Sequence, residues 1–432
     1  MKDNNWKLRP LANDFTAVYE SADAQRIYAY SPGLARLPGG RLVATMDQGG
    51  PGVAELPGPK FDRGNRCWQG KVFTSDDRGK TWTHRTDFPF MHARPFVAGD
   101  SIYVLGHAGD LMVIRSDDGG ESWSKPRALT EGQKWHQAPC NVHYANGCVY
   151  LVMERRASHD LDVWYVGECA PVLMRGRVGE DLTRRENWTF ASELSFRDVM
   201  PGAETEPEID YFGVPFFQCP YPVGKEAAPG RRCAPLGWLE TNVVQFEDPH
   251  HYWHDPEGKT YHLWMRAHTG GTGYACIAKV VEQGDAPGTG PMRTMLETVP
   301  SGKTMLYAPC PGGQMKFHVL RDEESDLFWL LSTQATDSMH RAETLPDDRY
   351  NLPNNQRRRL QLHFSRNCIN WCFAGLVAVG PVEKASRHYA SMVIDGDDLH
   401  VLSRSGDERA KNPHDGNLIT FHTISDFRRL VY

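Results

Sequence analysis

The chain has 432 residues, 40% of them hydrophobic, and a formal net charge of −6. That is enough apolar material for one large core, and the acidic balance argues against a nucleic-acid binder, because the one basic block, Arg357-Arg358-Arg359, reads as the solvated start of a strand. No apolar run reaches the roughly 18 residues needed to cross a membrane, and the N-terminus opens on charged and amide side chains, so a cytoplasmic protein is expected, or a periplasmic or secreted one if a leader has been removed.

In chain order, short apolar segments alternate with Gly, Asp and Asn turns, and helical periodicity is scarce. Residues 16–19 read as a lone strand. Residues 33–37 pair with 41–45, 95–97 with 101–105, and 140–143 with 148–152. Further strand starts fall at 241–244, 316–320 and 390–394, each followed by a turn and a second strand. The stretch 196–235 is irregular; its Pro- and Gly-rich part, 220–235, reads as a long loop of the kind that forms lids, and 284–292 reads as another loop. Ten cysteines are scattered without a CxxC pair, which predicts reduced structural thiols. The histidine-dense run at 249–255 falls at a hairpin and is read as a turn rather than a metal site. No motif requires a cofactor or a metal.

Two octapeptides share a register: Ser75-Asp76-Asp77-Arg78-Gly79-Lys80-Thr81-Trp82 and Ser116-Asp117-Asp118-Gly119-Gly120-Glu121-Ser122-Trp123. A decayed third copy is Ser365-Arg366-Asn367-Cys368-Ile369-Asn370-Trp371. The pattern suits a tight hairpin between outer strands: Asp bonds backbone two residues on, Gly takes a positive φ, and Trp buries against the turn. It resembles the Asp-box of sialidase-like proteins. The resemblance implies an all-β fold, a β-propeller of four-stranded blades in one domain spanning 1–432. Six blade starts over this length leave room for a seventh built from 196–235 or the chain ends, so seven blades are expected, with six as the alternative. Residues 16–19 would join the last blade, since closure between the termini removes exposed sheet edges.

Inner strands of a propeller converge on one channel, so candidate residues are sought at their ends. His136, in Trp135-His136-Gln137-Ala138-Pro139, has a side chain that titrates near neutrality and suits proton transfer; Arg155 closes the following strand. Glu240 and Asn242 lie in Trp238-Leu239-Glu240-Thr241-Asn242, and Arg266 ends the next strand, where a guanidinium fork would grip a sugar carboxylate. Tyr389 sits in Arg387-His388-Tyr389-Ala390-Ser391. Lys316, in Pro311-Gly312-Gly313-Gln314-Met315-Lys316-Phe317, would face the channel. Arg404 and His414 flank the polar turn before residues 418–422.

The whole chain resembles bacterial sialidase-like propellers. The stretches around His136, 238–242, 311–317 and 414–417 make it similar to a branch related to propellers that detach rhamnose from glucuronic acid and, more distantly, to propeller ulvan lyases. The sialidase resemblance implies a nucleophilic role for Tyr389, with Glu240 accepting its proton and Arg266 among the carboxylate-binding arginines. Sialidases carry Arg-Ile-Pro on the first inner strand; here Tyr30-Ser31-Pro32-Gly33 stands there, so one arginine of their triad is missing. The rhamnose-releasing relatives place a His beside an Asp where this chain has Thr45-Met46-Asp47.

The first expectation is therefore a lyase cleaving beside a uronate in an acidic oligo- or polysaccharide: Arg266, with Arg155 or Arg404, neutralises the carboxylate, His136 takes the C5 proton and Tyr389 protonates the leaving oxygen. The alternatives are a retaining exo-glycosidase using Tyr389, Glu240 and Asp47 as acid/base, and a non-catalytic glycan-binding propeller. Asn242, Lys316 and His414 complete the candidate binding set.

Overall fold

The computed structural model describes residues 9–64, 66–199, 221–228, 230–346 and 352–432. Among these, six antiparallel sheets form the blades of a β-propeller. The innermost strands of blades 1 to 6 are Tyr28–Arg36, Met91–Ala98, His143–Ala145, Gly237–Val244, His318–Asp322 and Arg387–Asp395. Each strand start read from the sequence thus opens one blade. In blade 3 the short segment Trp135–His136 adds to the channel end of the second strand, pairing with Arg155 and Glu154.

The first-choice seventh blade does not form among the described residues. The stretch expected to supply it yields a helix of 4 residues, Phe196–Val199, and a small ribbon in which Lys225–Ala228 pairs with Arg231–Cys233. That ribbon pairs with no further strand, so it has no sheet to extend into a blade. The rest of that stretch, 200–220, lies outside the described residues. What is described of the long loop is anchored: the Tyr221 hydroxyl donates to Asp160 at 2.7 Å and accepts from Arg197 at 2.8 Å.

Closure follows the expected route. Thr16–Glu20 runs antiparallel to Leu418–Ile424 and supplies the outer strand of blade 6, so the two chain ends hydrogen-bond into one sheet. The first octapeptide seals the same seam. A Cβ on Gly79 would lie 2.1 Å from the Phe421 ring, and Trp82 meets that ring edge-on at 5.3 Å. Only glycine fits there, both for space and for its φ of 84°.

The octapeptide turns depart in one detail from the expected pattern. Asp77 accepts from Thr81, four residues on, through backbone N–H (2.9 Å) and hydroxyl (2.6 Å), while Ser75 Oγ donates to Asp77 and accepts from Gly79 N–H. Asp118 accepts from the Ser122 backbone N–H in the same way at 2.9 Å. The longer reach spans the whole loop, which fixes the exit angle of the next strand. In the third copy, Asn367 keeps only the short bonds, and Trp371 donates instead to Pro309 O at 3.1 Å.

Between blades the core is apolar and aromatic, with Trp238, Trp264 and Trp329 fully buried; truncating any of them to alanine would cost about 3–5 kcal/mol. The nine cysteines among the described residues are free.

The candidate active site at one mouth of the channel

Four innermost strands carry a bulge at the same end. It falls between Tyr30 and Gly33, Met91 and Arg94, Leu239 and Asn242, and His388 and Ser391. Inside each bulge one residue adopts left-handed backbone: Ser31 (φ 49°), His92 (54°), Glu240 (58°) and Tyr389 (52°). An extra residue re-aims its side chain out of the pleat, and such backbone at a residue other than glycine costs about 1–3 kcal/mol, retained where surrounding structure holds it. One device thus presents four polar side chains from blades 1, 2, 4 and 6 at a single channel mouth.

At the centre, Arg266 Nη1 lies 2.5 Å from the Tyr389 hydroxyl and 3.2 Å from Glu240 Oε2, while its Nε donates to Gln314 O at 2.8 Å. The Tyr389 hydroxyl and the Glu240 carboxylate thus share one guanidinium nitrogen. Burial raises the Tyr389 pKa and the Arg266 charge opposes that rise. Two further guanidiniums approach the Tyr389 ring, Arg357 at 5.6 Å and Arg404 at 5.3 Å. Arg404 also lies 4.2 Å over the Tyr30 ring. A guanidinium from blade 6 thus stands over the tyrosine of the Tyr30-Ser31-Pro32 segment.

Arg357 corrects the reading of its basic block as solvated. It is buried and donates to His388 Nδ1 at 3.0 Å. Since a guanidinium only donates, His388 accepts there and is neutral, in keeping with a pKa driven well below the usual value first by burial and then by Arg357 and Arg404.

Asp47, on the second strand of blade 1, is fully buried, and its Oδ1 accepts the backbone N–H of His92 at 2.9 Å. Burial lifts its pKa to about 7, against the opposing bond from His92 and the charge of Arg404. Glu154, from blade 3, is pushed to about 8, again chiefly by burial, and accepts from Thr241 through N–H (3.1 Å) and hydroxyl (2.8 Å).

His136 lies at this mouth beside His92, with ring centroids 5.1 Å apart and perpendicular. Burial lowers its pKa to about 4. His414 also borders the mouth; its Nδ1 bonds Asp415 at 2.6 Å and its carbonyl accepts from Arg404.

The other expected residues are placed elsewhere. Asn242 is fully buried, its Oδ1 accepting from Val319 N–H at 3.1 Å and its Nδ2 donating to Phe317 O at 3.2 Å. Lys316 is buried with Nζ 2.5 Å from Ala390 O and 3.2 Å from Ser391 Oγ. Both tie blades together inside the channel rather than facing its mouth. Arg155 sits next to Glu154 on an extended strand, hence on the opposite face, over Trp135 at 5.8 Å and 3.8 Å from Glu193. A cavity of about 670 Å³ lies at the far end of the channel, where Arg36, Tyr144, Gln245 and Arg321 line it.

Trp164 was not anticipated. It is 37% exposed, with Arg266 5.3 Å over its ring, which sets an apolar plate beside the charged centre. It sits on a loop between the second and third strands of blade 3, and a single aromatic in a loop carries no periodic signal. The histidine-dense hairpin is a turn as expected: His251 stacks on Phe246 at 3.8 Å and His254 bonds Phe246 O.

No protein-family profile and no curated protein sequence matches this chain. Among solved structures it is similar to Trypanosoma rangeli sialidase in complex with sialic acid, at 13% identity and a TM-score of 0.52, covering 98% of this chain and 60% of that one. It is similar to the Hadza microbial sialidase Hz136, at 15% identity and 0.51, covering 95% and 68%. A third is the alpha-L-arabinanase of Penicillium chrysogenum complexed with arabinobiose, at 10% identity and 0.50, covering 98% and 100%. The fold is thus that of a six-bladed, sialidase-like β-propeller. At these identities the likeness is one of fold.

Proposed function

We propose that this protein is a carbohydrate-active enzyme, a retaining exo-glycosidase that removes an acidic sugar using Tyr389 as nucleophile. The observation carrying this reading is the shared contact of Tyr389, Glu240 and Arg266. Arg266, Arg357 and Arg404 would bind the sugar carboxylate. A neutral phenol approaches an anionic sugar without repulsion; Glu240 takes its proton as the oxygen attacks the anomeric carbon and the glycosidic bond breaks. Asp47, protonated near neutral pH, donates to the leaving oxygen. It then takes a proton from the water that displaces Tyr389, and Glu240 returns the phenolic proton. The carbohydrate-bound neighbours above, with sialic acid and arabinobiose, support a sugar ligand at this fold.

The geometry supports this more than β-elimination through His136. An imidazole titrating near 4 is a weak base for a C5 proton, and it stands among other histidines rather than against Tyr389. The test is incubation with sialylated and uronate-containing oligosaccharides, following product mass and enoyl-uronate absorbance together. The expected result is a product heavier by one water and without absorbance, lost in Tyr389→Phe. An absorbing product would replace hydrolysis by elimination, and binding without turnover across the panel would leave a glycan-binding propeller.

A further inference from the structure

His92, His107 and His136 come together at the channel mouth from two blades. His92 stands in the bulge of blade 2, His107 on the strand paired with it, and His136 on blade 3. His92 Nδ1 and His107 Nε2 are 3.0 Å apart, and one ring nitrogen from each of the three lies within 4.8 Å of the others. Tetrahedral zinc with Zn–N bonds of about 2.0–2.1 Å requires nitrogens about 3.3 Å apart. The observed spacing therefore needs only small side-chain rotations to close on an ion.

Two further features favour ligation over a chain of hydrogen-bonded rings. His92 is presented by the same left-handed bulge as Glu240 and Tyr389, at φ 54°, held by its N–H bond to Asp47. The Glu240 carboxylate, which acts electrostatically on His136, offsets part of the charge an ion would add.

We propose that His92, His107 and His136 form a binding site for one divalent first-row metal ion, Zn²⁺ being the best fit, with its remaining coordination position open to the channel mouth. A three-histidine set without a fourth protein ligand leaves room for water or for a sugar hydroxyl or carboxylate oxygen. This site is independent of the reaction proposed for Tyr389, since its test reads binding and not turnover.

The chain is stripped with chelator, then titrated with Zn²⁺ by calorimetry and with Co²⁺ by visible absorption. About one ion per chain is expected, with a Co²⁺ spectrum of tetrahedral intensity and a raised melting temperature. His107→Ala and the milder His107→Gln should each lose at least about tenfold in affinity while keeping the wild-type circular dichroism, whereas His250→Ala, an exposed change in the histidine-dense hairpin, keeps it. Affinity unchanged in both folded His107 variants, loss in His250→Ala, or less than about a tenth of an ion per chain at millimolar metal would each overturn the site.

Discussion

Tyr389 and Glu240, 149 positions apart in the chain, share one guanidinium, with Arg266 Nη1 2.5 Å from the phenol and 3.2 Å from the carboxylate. Both residues occupy left-handed backbone in the bulges of their strands. The ion pair of Arg266 with Glu240 is almost wholly buried, with side-chain exposures of 6% and 3%, so breaking it would leave an uncompensated charge. The arrangement is the one that the proposed nucleophile and its proton acceptor require.

Tyr389→Phe should therefore remove turnover by at least about a thousandfold while leaving the fold and ligand affinity within about threefold. Stopped assays of product mass beside calorimetric binding check this. A variant retaining a tenth of wild-type turnover would end the nucleophile assignment.

Arg404 faces the Tyr389 and Tyr30 rings, and its buried Nε has no partner among the described residues. Arg404→Gln should weaken binding of a carboxylate sugar by about 10–100-fold, the value of about 1.5–3 kcal/mol for a charged hydrogen bond, and change binding of the uncharged methyl ester little. Equal loss for both ligands would mean that Arg404 only shapes the pocket.

The Asp47 carboxyl is raised to about 7, so the acid form needed for the first step is depleted above that pH. The rate of glycosidic cleavage should fall on the alkaline side of about pH 7. Asp47→Asn should lower kcat by about 10²–10⁴-fold and abolish that limb of the profile; an unaltered limb in the variant would assign it to another group.

Stability has a linked dependence. Glu154 has a folded pKa of about 8, above the unfolded carboxyl value of 4.5, so the native state holds a proton that the unfolded chain releases. The slope of unfolding free energy with pH is then negative between those values, and this contribution is lost as pH rises through about 8. Glu154→Gln should have a melting temperature that declines less than wild type between about pH 6 and 9. Parallel curves would show that Glu154 is solvated enough to ionise freely.

Trp164→Ala should reduce affinity for sugar by about tenfold, through loss of an apolar plate beside Arg266, with little change in melting temperature because the ring is already partly exposed. Isothermal titration and a thermal melt separate the two effects. A large drop in melting temperature would make Trp164 a packing residue instead.

The blades were legible because each inner strand is a local apolar run followed by a turn, and the octapeptide turns are closed within themselves by side-chain bonds. Glu240, Arg266 and Tyr389 were singled out because each lies in a short strand-end motif at a position where the resemblance to sialidases implies a role, and the structure brings the three together. The blade number was misjudged toward seven because a ring's closure is global: residues 196–235 carry strand-like apolar pieces, yet only the sheets already formed decide whether another can be seated.

Sequence by itself determined the all-β architecture and the closing role of Thr16–Glu20, since these follow from local patterning and recurrent short motifs. The tertiary structure alone decided that Arg357 and Arg404 meet at Tyr389, that Asn242 and Lys316 turn into inter-blade ties, and that His92, His107 and His136 converge. The reason is geometric: contacts between blades join residues far apart in sequence, and the bulges that aim their side chains arise from pairing with neighbouring strands rather than from the residues within them.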